Sequence, residues 1–280
     1  MNRKMSQKIS EKFANFGIIV ACLVIFYPIF LMASLSLKTN GDLLTNPFGI
    51  SFHFQWQNYT EAIKQMNYWQ ALYNSAIITG FAAVLATFFS ALTAYALARA
   101  PRCKALFRGL GIFFWLGIAL PVQTVMVPLT LWMKNLGLAN TKLGLILVFI
   151  ASNAAFGVFF FTGFVQTVPI DLEEAAMIDG AGKFTTFRRI VFPLLQTPLV
   201  TLFIIMVLRV YNNFIFPLIL LQGKDSRTLP LTVYFFKGDT AIEWNIMFAA
   251  TTLVVLPLMI VYFVFQRRIM EGMLAGSVKM

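Results

Sequence analysis

Long apolar stretches alternate with short polar segments along this chain, and the apolar stretches are nearly free of charge. Six of them reach the roughly 20 residues that an α-helix needs to cross a bilayer. Uniformly apolar runs of this length favour membrane-spanning helices over strands or soluble amphipathic helices. We therefore predict an all-α membrane protein with six transmembrane helices, whose cores lie near 16–37, 72–98, 109–131, 143–165, 196–221 and 246–266.

The two ends of the chain are polar and flank one transmembrane domain. Residues 1–12 are predicted to form an N-terminal tail and residues 271–280 a C-terminal tail, with the membrane domain at 13–270. The first apolar run is too long for the apolar core of a signal peptide and lacks a convincing small-residue cleavage site. We therefore expect it to be retained as the first span.

The most polar interruption lies between the fourth and fifth predicted spans, at 168–193, and carries four of the eleven acidic residues. Pro169 stops the preceding helix. Asp171, with Glu174 three residues later, resembles a capping box at the start of a short helix. Gly180 is predicted to end that helix, because a left-handed residue is commonly required there. The pattern predicts a structured loop and not a simple linker.

A second amphipathic piece, 184–191, leads from the short helix to Pro193, a residue that the first turn of the next helix tolerates. One simpler interpretation is a surface helix-turn-helix that only connects two spans. Another is a phosphate-binding loop at 180–183. That interpretation fails the pattern, because Met177 stands where the first glycine belongs and Phe184 where Ser or Thr belongs.

Basic residues are distributed unequally between the two sides of the predicted membrane. With the N-terminus in the cytoplasm, fourteen of the 22 basic residues fall on the cytoplasmic side, seven outside and one, Arg209, within a span. The positive-inside rule therefore predicts cytoplasmic termini and a cytoplasmic loop at 168–193. This topology and contact with anionic lipid explain the basic clusters at 3–12 and 99–108. The net charge of +11 thus does not indicate nucleic-acid binding.

The composition excludes several classes of protein. The chain is 59% hydrophobic and only 12% charged, whereas a soluble domain has about 25% charged residues. His53 is the only histidine, so a site built on several histidines is excluded, and we expect no bound metal. The two cysteines, Cys22 in a predicted span and Cys103 in a basic loop, do not suggest a disulfide framework.

Polar side chains inside the predicted spans are candidates for a transport pathway, because such groups are costly in lipid and normally face a bundle interior or a wet cavity. The spacing of Arg209, Asn212 and Asn213 predicts that they share one helix face. The predicted spans contain no Asp or Glu, so the partner of Arg209 is a backbone carbonyl, water, a second subunit or a substrate. The candidate pathway residues are Arg209, Tyr211, Asn212, Asn213, Gln123 and Asn153.

The polar loop resembles the EAA loop of ABC-importer permeases. The residues that carry the likeness are Glu174-Ala175-Ala176, Asp179-Gly180-Ala181, Ile190 and Pro193. The stretches 120–147, 228–244 and 266–279 resemble the carbohydrate-importer, MalG-like branch of this family. The chain departs from that branch at Tyr211 and Asn213, where the family has a tryptophan and an acid.

This resemblance implies a type I ABC importer permease with six spans and a cytoplasmic coupling helix between the fourth and fifth. The implied ATPase-coupling residues are Glu173, Glu174, Ala175, Ala176, Asp179, Gly180 and Ala181. The chain is then a non-catalytic subunit that binds no cofactor itself, with ATP and Mg in a partner ATPase. The implied location is the inner membrane of a prokaryotic cell.

The resemblance also implies the partners and the substrate class. The partners are a second homologous permease, two cytoplasmic ABC ATPase subunits, an extracytoplasmic sugar-binding protein and membrane lipid, with no nucleic acid. We expect a carbohydrate substrate, a di- or oligosaccharide such as a maltose-like or raffinose-like sugar. The aromatic segment 38–70 is either part of the surface that docks the binding protein or a plain interfacial loop.

Other functions stay open at this point. An ATP-independent secondary transporter or channel is the main alternative, although the predicted spans lack the carboxylates of a proton or sodium relay. A membrane-embedded enzyme is disfavoured by the same lack of acids and by the single histidine. Whether the sugar is neutral or acidic, and whether Arg209 contacts it, also stay open.

Overall fold

The computed structural model describes residues 2–49, 54–99, 104–236 and 243–277. No β-strand occurs within these ranges, in agreement with the all-α prediction. His53 and Cys103 lie outside the described residues. The α-helices are α1 (Asn2–Ser36), α2 (Asn40–Thr45), α3 (Gln57–Gln65), α4 (Tyr68–Ala98), α5 (Lys104–Ala119), α6 (Val122–Asn135), α7 (Lys142–Val165), α8 (Ile170–Ile178), α9 (Lys183–Thr186), α10 (Phe192–Leu194), α11 (Gln196–Tyr211), α12 (Ile215–Leu220), α13 (Leu229–Tyr234) and α14 (Trp244–Ser277).

Four helices are long and apolar enough to cross a membrane. Their apolar portions are Ala14–Ser36, Tyr68–Ala98, Lys142–Val165 and Trp244–Arg267, and each contains most or all of a predicted span core. In each of two bent helix pairs, the two helices are long and apolar enough to cross a membrane only when they are counted together. The described residues therefore hold four spans, or up to six if each bent pair is one span. The predicted tails are not separate from the first and last helices, because α1 begins at Asn2 and α14 continues to Ser277.

The third predicted span, 109–131, is not continuous. Gly109–Ala119 and Val122–Asn135 meet at an angle of 102°. Pro121 lies in this break because its ring fixes φ and removes the N–H that a continuous helix needs, and it also disfavours a helical conformation at Leu120. Pro121 then begins α6, since its carbonyl accepts the N–H of Thr124 at 3.1 Å. The third predicted span is therefore present as two helices, which form one span only if the bent pair is counted together.

The fifth predicted span, 196–221, is also interrupted, because α11 ends at Tyr211 and α12 begins at Ile215. Pro217 explains the position of the break, since a proline ring clashes with the carbonyl four residues earlier, which here belongs to Asn213. The Asn213 side chain instead accepts the N–H of Phe216 at 3.0 Å. The stretch predicted as one span at 196–221 therefore contains two helices, α11 and α12.

The described residues divide into two compact units. The first consists of Met1–Tyr68 and Val233–Leu256, and the second of Trp69–Thr232 and Pro257–Met280. The core of the second unit is formed by small and apolar residues of α4, α7 and α11 and of the turns before α11. A Cβ atom at Gly157 on α7 would collide with Ser90 on α4, so this glycine allows the two helices to approach closely.

A buried polar network organises the first unit. The side chain of Lys38 is only 2% exposed, and its ammonium donates to the carbonyls of Asn46 and Pro47 at 2.9 and 3.0 Å. Asn58 on α3 donates to the Lys38 carbonyl at 2.9 Å and accepts from Asn245 on α14 at 2.9 Å. These bonds hold the segment after α1 against the start of α14, because buried polar groups are costly unless they are paired.

Candidate functional site

The polar loop contains α8, whose start differs from the prediction. The N-terminal cap position is occupied by Pro169 (φ −58°, ψ 130°), with no side-chain hydrogen bond, so Asp171 is not the cap. Proline suits the start of a helix because its missing N–H has no partner there in any case. Asp171 and Glu173 instead lie in the first turn, where acidic side chains interact favourably with the helix dipole.

The end of α8 agrees with the prediction. Gly180 adopts φ +85°, the left-handed conformation that a glycine accepts without steric cost. Its N–H bonds to the carbonyl of Met177 at 3.1 Å, and the N–H of Ala181 bonds to the carbonyl of Ala176 at 2.9 Å. This pair of bonds is a Schellman motif, which satisfies the last carbonyls of the helix. Gly180 therefore fixes the direction in which the chain leaves α8.

The chain returns to the helix bundle through a widened turn. Phe187–Val191 form a π-helical turn, in which the N–H of Phe192 reaches the carbonyl of Phe187. The wider turn precedes Pro193, whose ring would clash with the carbonyl of Arg189 in a regular α-helix. The segment Lys183–Leu194 then bends by 81° into α11.

Glu173 is buried at the centre of a clamp between helices. Its Oε1 accepts from Nε of Arg99 at 2.8 Å, and its Oε2 accepts from the hydroxyl of Tyr95 at 2.9 Å. The Arg99 and Glu173 side chains are only 16% and 2% exposed. Nη2 of Arg99 also donates to the carbonyls of Val165 and Val168, at 3.1 and 2.6 Å.

This clamp ties α8 to two helices of the bundle. Tyr95 and Arg99 lie at the end of α4, and the two carbonyls lie at and just after the end of α7. The sequence grouped Glu173 with the ATPase-coupling residues, but its carboxylate points into the protein. The sequence indicated an ion pair only through the basic residues at the end of the second predicted span and the acidic residues in the polar loop. Nothing in the sequence showed which of four acids Arg99 would meet.

The remaining predicted coupling residues lie at the surface of the loop. Glu174, Ala175, Asp179 and Gly180 are exposed, and Ala176 and Ala181 are partly exposed. Four large apolar side chains are also exposed here, and we call them the α8–α9 apolar patch. They are Leu172 (46%), Met177 (45%), Ile178 (86%) and Phe184 (64%). The patch was not part of the sequence prediction, which named none of these four side chains as coupling residues.

Arg209 and Asn153 are brought together between α11 and α7. Nε of Arg209 donates to Oδ1 of Asn153 at 2.9 Å, and the guanidinium lies 4.6 Å from the centre of the Phe156 ring. Asn153 is buried, at 5% exposure, and donates to the carbonyl of Phe149 at 2.9 Å. Arg209 itself is exposed. Phe156 was not among the residues predicted from the sequence, although it lies three residues after Asn153 on the same helix.

The other pathway candidates do not join this pair. Asn212 caps the C-terminus of α11 and is exposed, whereas the Asn213 side chain bonds to the start of α12. The predicted shared face of Arg209, Asn212 and Asn213 is therefore wrong, because the helix ends before either asparagine. Tyr211 is partly exposed at the last position of α11, and Gln123 is exposed in the first turn of α6.

Comparison with known proteins identifies the family. Residues 94–274 match the family model described as "Binding-protein-dependent transport system inner membrane component". The chain belongs to this family. The matched region includes the Arg99–Glu173 pair and Arg209, so both candidate sites lie in the part of the chain that defines this inner membrane component. The resemblance to ABC-importer permeases inferred from the sequence is confirmed.

Two relatives of this inner membrane component are similar over nearly their whole length. The probable starch degradation products transport system permease protein AmyC of Thermoanaerobacterium thermosulfurigenes is 31% identical over 261 residues, covering 93% of this chain and 94% of AmyC. The melibiose/raffinose/stachyose import permease protein MelC of Bacillus subtilis is 34% identical over 265 residues, with the same coverages of 93% and 94%.

A solved structure has the same fold. It is the crystal structure of a bacterial ABC transporter involved in the import of the acidic polysaccharide alginate, in which one chain superposes with a TM-score of 0.77 at 22% identity. The superposition covers 94% of this chain and 97% of that chain. The all-α membrane fold of an ABC-importer permease is therefore confirmed for this family member.

Proposed function

We propose that this chain is the permease subunit of an ATP-driven importer that moves a di- or oligosaccharide into the cell by alternating access. The named substrates of AmyC and MelC, starch degradation products and melibiose, raffinose and stachyose, support an oligosaccharide. The chain is then non-catalytic, and ATP and Mg²⁺ bind to separate ATPase subunits. Its partners are a second permease, two ATPases and an extracytoplasmic sugar-binding protein, in an inner membrane with both termini cytoplasmic.

The α8–α9 apolar patch carries this proposal. Ile178 is 86% exposed on a loop that lies between predicted spans, where water and not lipid is the expected surroundings. Clustered apolar side chains at a water-exposed surface mark a binding site for another protein. We infer that the ATPase covers the patch and that Glu174, Ala175, Ala176, Asp179, Gly180 and Ala181 line the same contact.

The clamp gives this contact a route to the membrane helices. Because Glu173 is bonded to Tyr95 on α4 and to Arg99 directly after α4, a displacement of α8 also moves the end of α4. The bonds from Arg99 to the carbonyls at the end of α7 include that helix in the same movement. Glu173 therefore serves coupling by positioning α8, and the exposed residues of the loop contact the ATPase.

The experiment isolates the transporter through a tag on this chain and measures which subunits accompany it. In the wild type, we expect an ATPase to co-purify and sugar uptake into vesicles to require ATP. Ile178→Asp introduces a charge into the contact and is expected to lower ATPase retention by at least about 10-fold, since desolvating an unpaired carboxylate costs several kcal/mol. The measurement is the ratio of ATPase to permease after purification.

Leu44→Asp is the matched control, because Leu44 is an equally apolar side chain that is 72% exposed on α2 and far from the loop in sequence. We expect this control to retain the ATPase. Full ATPase retention by Ile178→Asp would contradict coupling through α8. Sugar uptake without any ATPase would favour the secondary transporter or channel instead.

A further inference from the structure

Arg209 carries a charge in the last turn of α11, inside the predicted span 196–221. The helix ends two residues later, at Tyr211, and the rest of the predicted span continues as α12 from Ile215. A guanidinium stays charged in proteins. Charged side chains inside a span face a bundle interior or a water-filled cavity and mark substrate pathways. The guanidinium of Arg209 therefore needs a partner of opposite charge.

The contacts of Arg209 hold the guanidinium and leave one edge open. Nε bonds to Asn153, which is itself fixed by its bond to the Phe149 carbonyl, and the Phe156 ring covers one face. Within the described part of the chain, neither Nη atom of Arg209 has a hydrogen-bond partner. The open edge presents both Nη groups, which is the arrangement that binds a carboxylate through two parallel hydrogen bonds.

The described residues supply no counter-charge for this edge. No Asp or Glu among them lies within ion-pair distance of Arg209, and the predicted spans contain no acidic residue. A sugar hydroxyl would accept a hydrogen bond but leave the charge uncompensated, which is costly away from water. A carboxylate satisfies the charge and both Nη groups at once.

We propose that Arg209, positioned by Asn153 and Phe156, binds a carboxylate of the transported sugar, so that the substrate class is the acidic oligosaccharides. This inference rests on the proposed function and narrows it. Melibiose and raffinose carry no carboxylate, so the proposed substrate class differs from the sugars that the name of MelC gives. The sugar contact that the sequence left open is thereby assigned to Arg209.

A carboxylate of a second permease subunit is the competing partner, and the surroundings of Arg209 favour the sugar. The helix is interrupted directly after Arg209, between Tyr211 and Ile215. Irregular backbone at membrane depth is tolerated where it is buried in protein or lines a water-filled cavity. The exposed amide of Asn212 in this break adds a donor and an acceptor for sugar hydroxyls.

The test uses the intact transporter, purified with its partner subunits and reconstituted in vesicles. Disaccharides of galacturonate, glucuronate and mannuronate are each compared with their methyl esters, which lack the negative charge and carry one added methyl group on each carboxyl. We expect the wild type to import at least one acid in preference to its ester. Arg209→Met should lower uptake of that acid about 30-fold and change ester uptake less than about 3-fold, as expected for loss of a charged hydrogen-bonded contact.

Arg209→Lys keeps the charge but not the two-pronged geometry, so we expect an intermediate loss for the acid. Lys142→Met is the matched control, because Lys142 is a cation held 4.7 Å above the ring of Tyr73, and its uptake should equal that of the wild type. Size-exclusion chromatography of each variant shows whether the subunits remain assembled.

Three results would overturn the inference. They are import of uncharged sugars alone, an equal loss of acid and ester uptake in Arg209→Met, and loss of the second permease from the Arg209→Met complex. The last result would assign Arg209 to an ion pair between subunits. Absence of any sugar uptake or of an ATPase in the wild type would instead contradict the proposed function itself, so the two failures are distinguishable.

Discussion

Arg99 and Arg209 belong to the same structural unit, and each contacts α7, but their charges have different partners. Arg99 is mostly buried and pairs with the carboxylate of Glu173 at 2.8 Å, with two backbone carbonyls completing its bonds. Arg209 is exposed and bonds to the amide oxygen of Asn153, with an aromatic ring on one face. Among the described residues, only the first arginine has a carboxylate from its own chain.

The two arginines therefore have different roles: Arg99 anchors α8 within the protein, and Arg209 is open to bind a ligand. A buried ion pair contributes little net free energy, but removing one partner is strongly destabilising because the other charge stays buried. Arg99 thus fixes α8 in place as long as Glu173 is present. Arg209 is positioned by neutral groups that do not cancel its charge, so an anion from outside the chain can bind it.

The largest expected effect comes from breaking the anchor. Glu173→Ala leaves the buried guanidinium of Arg99 without its carboxylate, which we expect to lower the free energy of unfolding by about 3–5 kcal/mol. Thermal unfolding of the purified transporter measures this loss. Arg99→Met combined with Glu173→Leu removes both charges and is expected to recover most of the stability.

Glu174→Ala serves as the control for that series, because Glu174 lies on the same helix but is exposed. Its unfolding midpoint should stay within the range of ordinary surface substitutions, about 0.5 kcal/mol. If Glu173→Ala were no more destabilising than Glu174→Ala, the clamp would not hold α8.

A smaller effect is expected from removing the ring beneath Arg209. Phe156→Leu loses the contact between the ring and the guanidinium, a contribution of about 0.5–1 kcal/mol at an exposed site. Phe160→Leu is the matched control, since Phe160 is stacked on the ring of Phe156 and tilted against the ring of Phe164. Each substitution is measured with Arg209 and with Arg209→Met, and the loss in Phe156→Leu alone should depend on Arg209. An equal loss for Phe156→Leu in both backgrounds would show that Phe156 does not position Arg209.

Much of the fold follows from apolar run length. The helices α1, α4, α7 and α14 coincide with predicted spans because about 20 apolar residues leave few alternatives to a membrane helix. The size and position of the breaks did not follow from the sequence, because a proline bends a helix by an amount that depends on its packing. Pro121 lies at a turn of 102°, whereas Pro128 lies inside α6 without interrupting it.

The candidate sites were predictable in location but not in detail. The polar loop was evident from its charge, and Gly180 from its place after a short helix. The different roles of Glu173 and Glu174 could not be predicted, because the two acids are adjacent in sequence and lie on different sides of α8. Arg209 was evident as the single charge in an apolar span, but its bond to Asn153 joins residues 56 positions apart.

A mirrored pair of isosteric substitutions tests the contrast between the two arginines most directly. Glu173→Gln removes the counter-charge of Arg99, and Asn153→Asp places one beside Arg209, each without a change in side-chain size. The measurement is uptake of a carboxylated disaccharide and of its methyl ester by each reconstituted variant. We predict that Glu173→Gln lowers uptake of both sugars equally, and that Asn153→Asp lowers uptake of the acid alone. Equal losses of acid and ester uptake in Asn153→Asp would contradict the account.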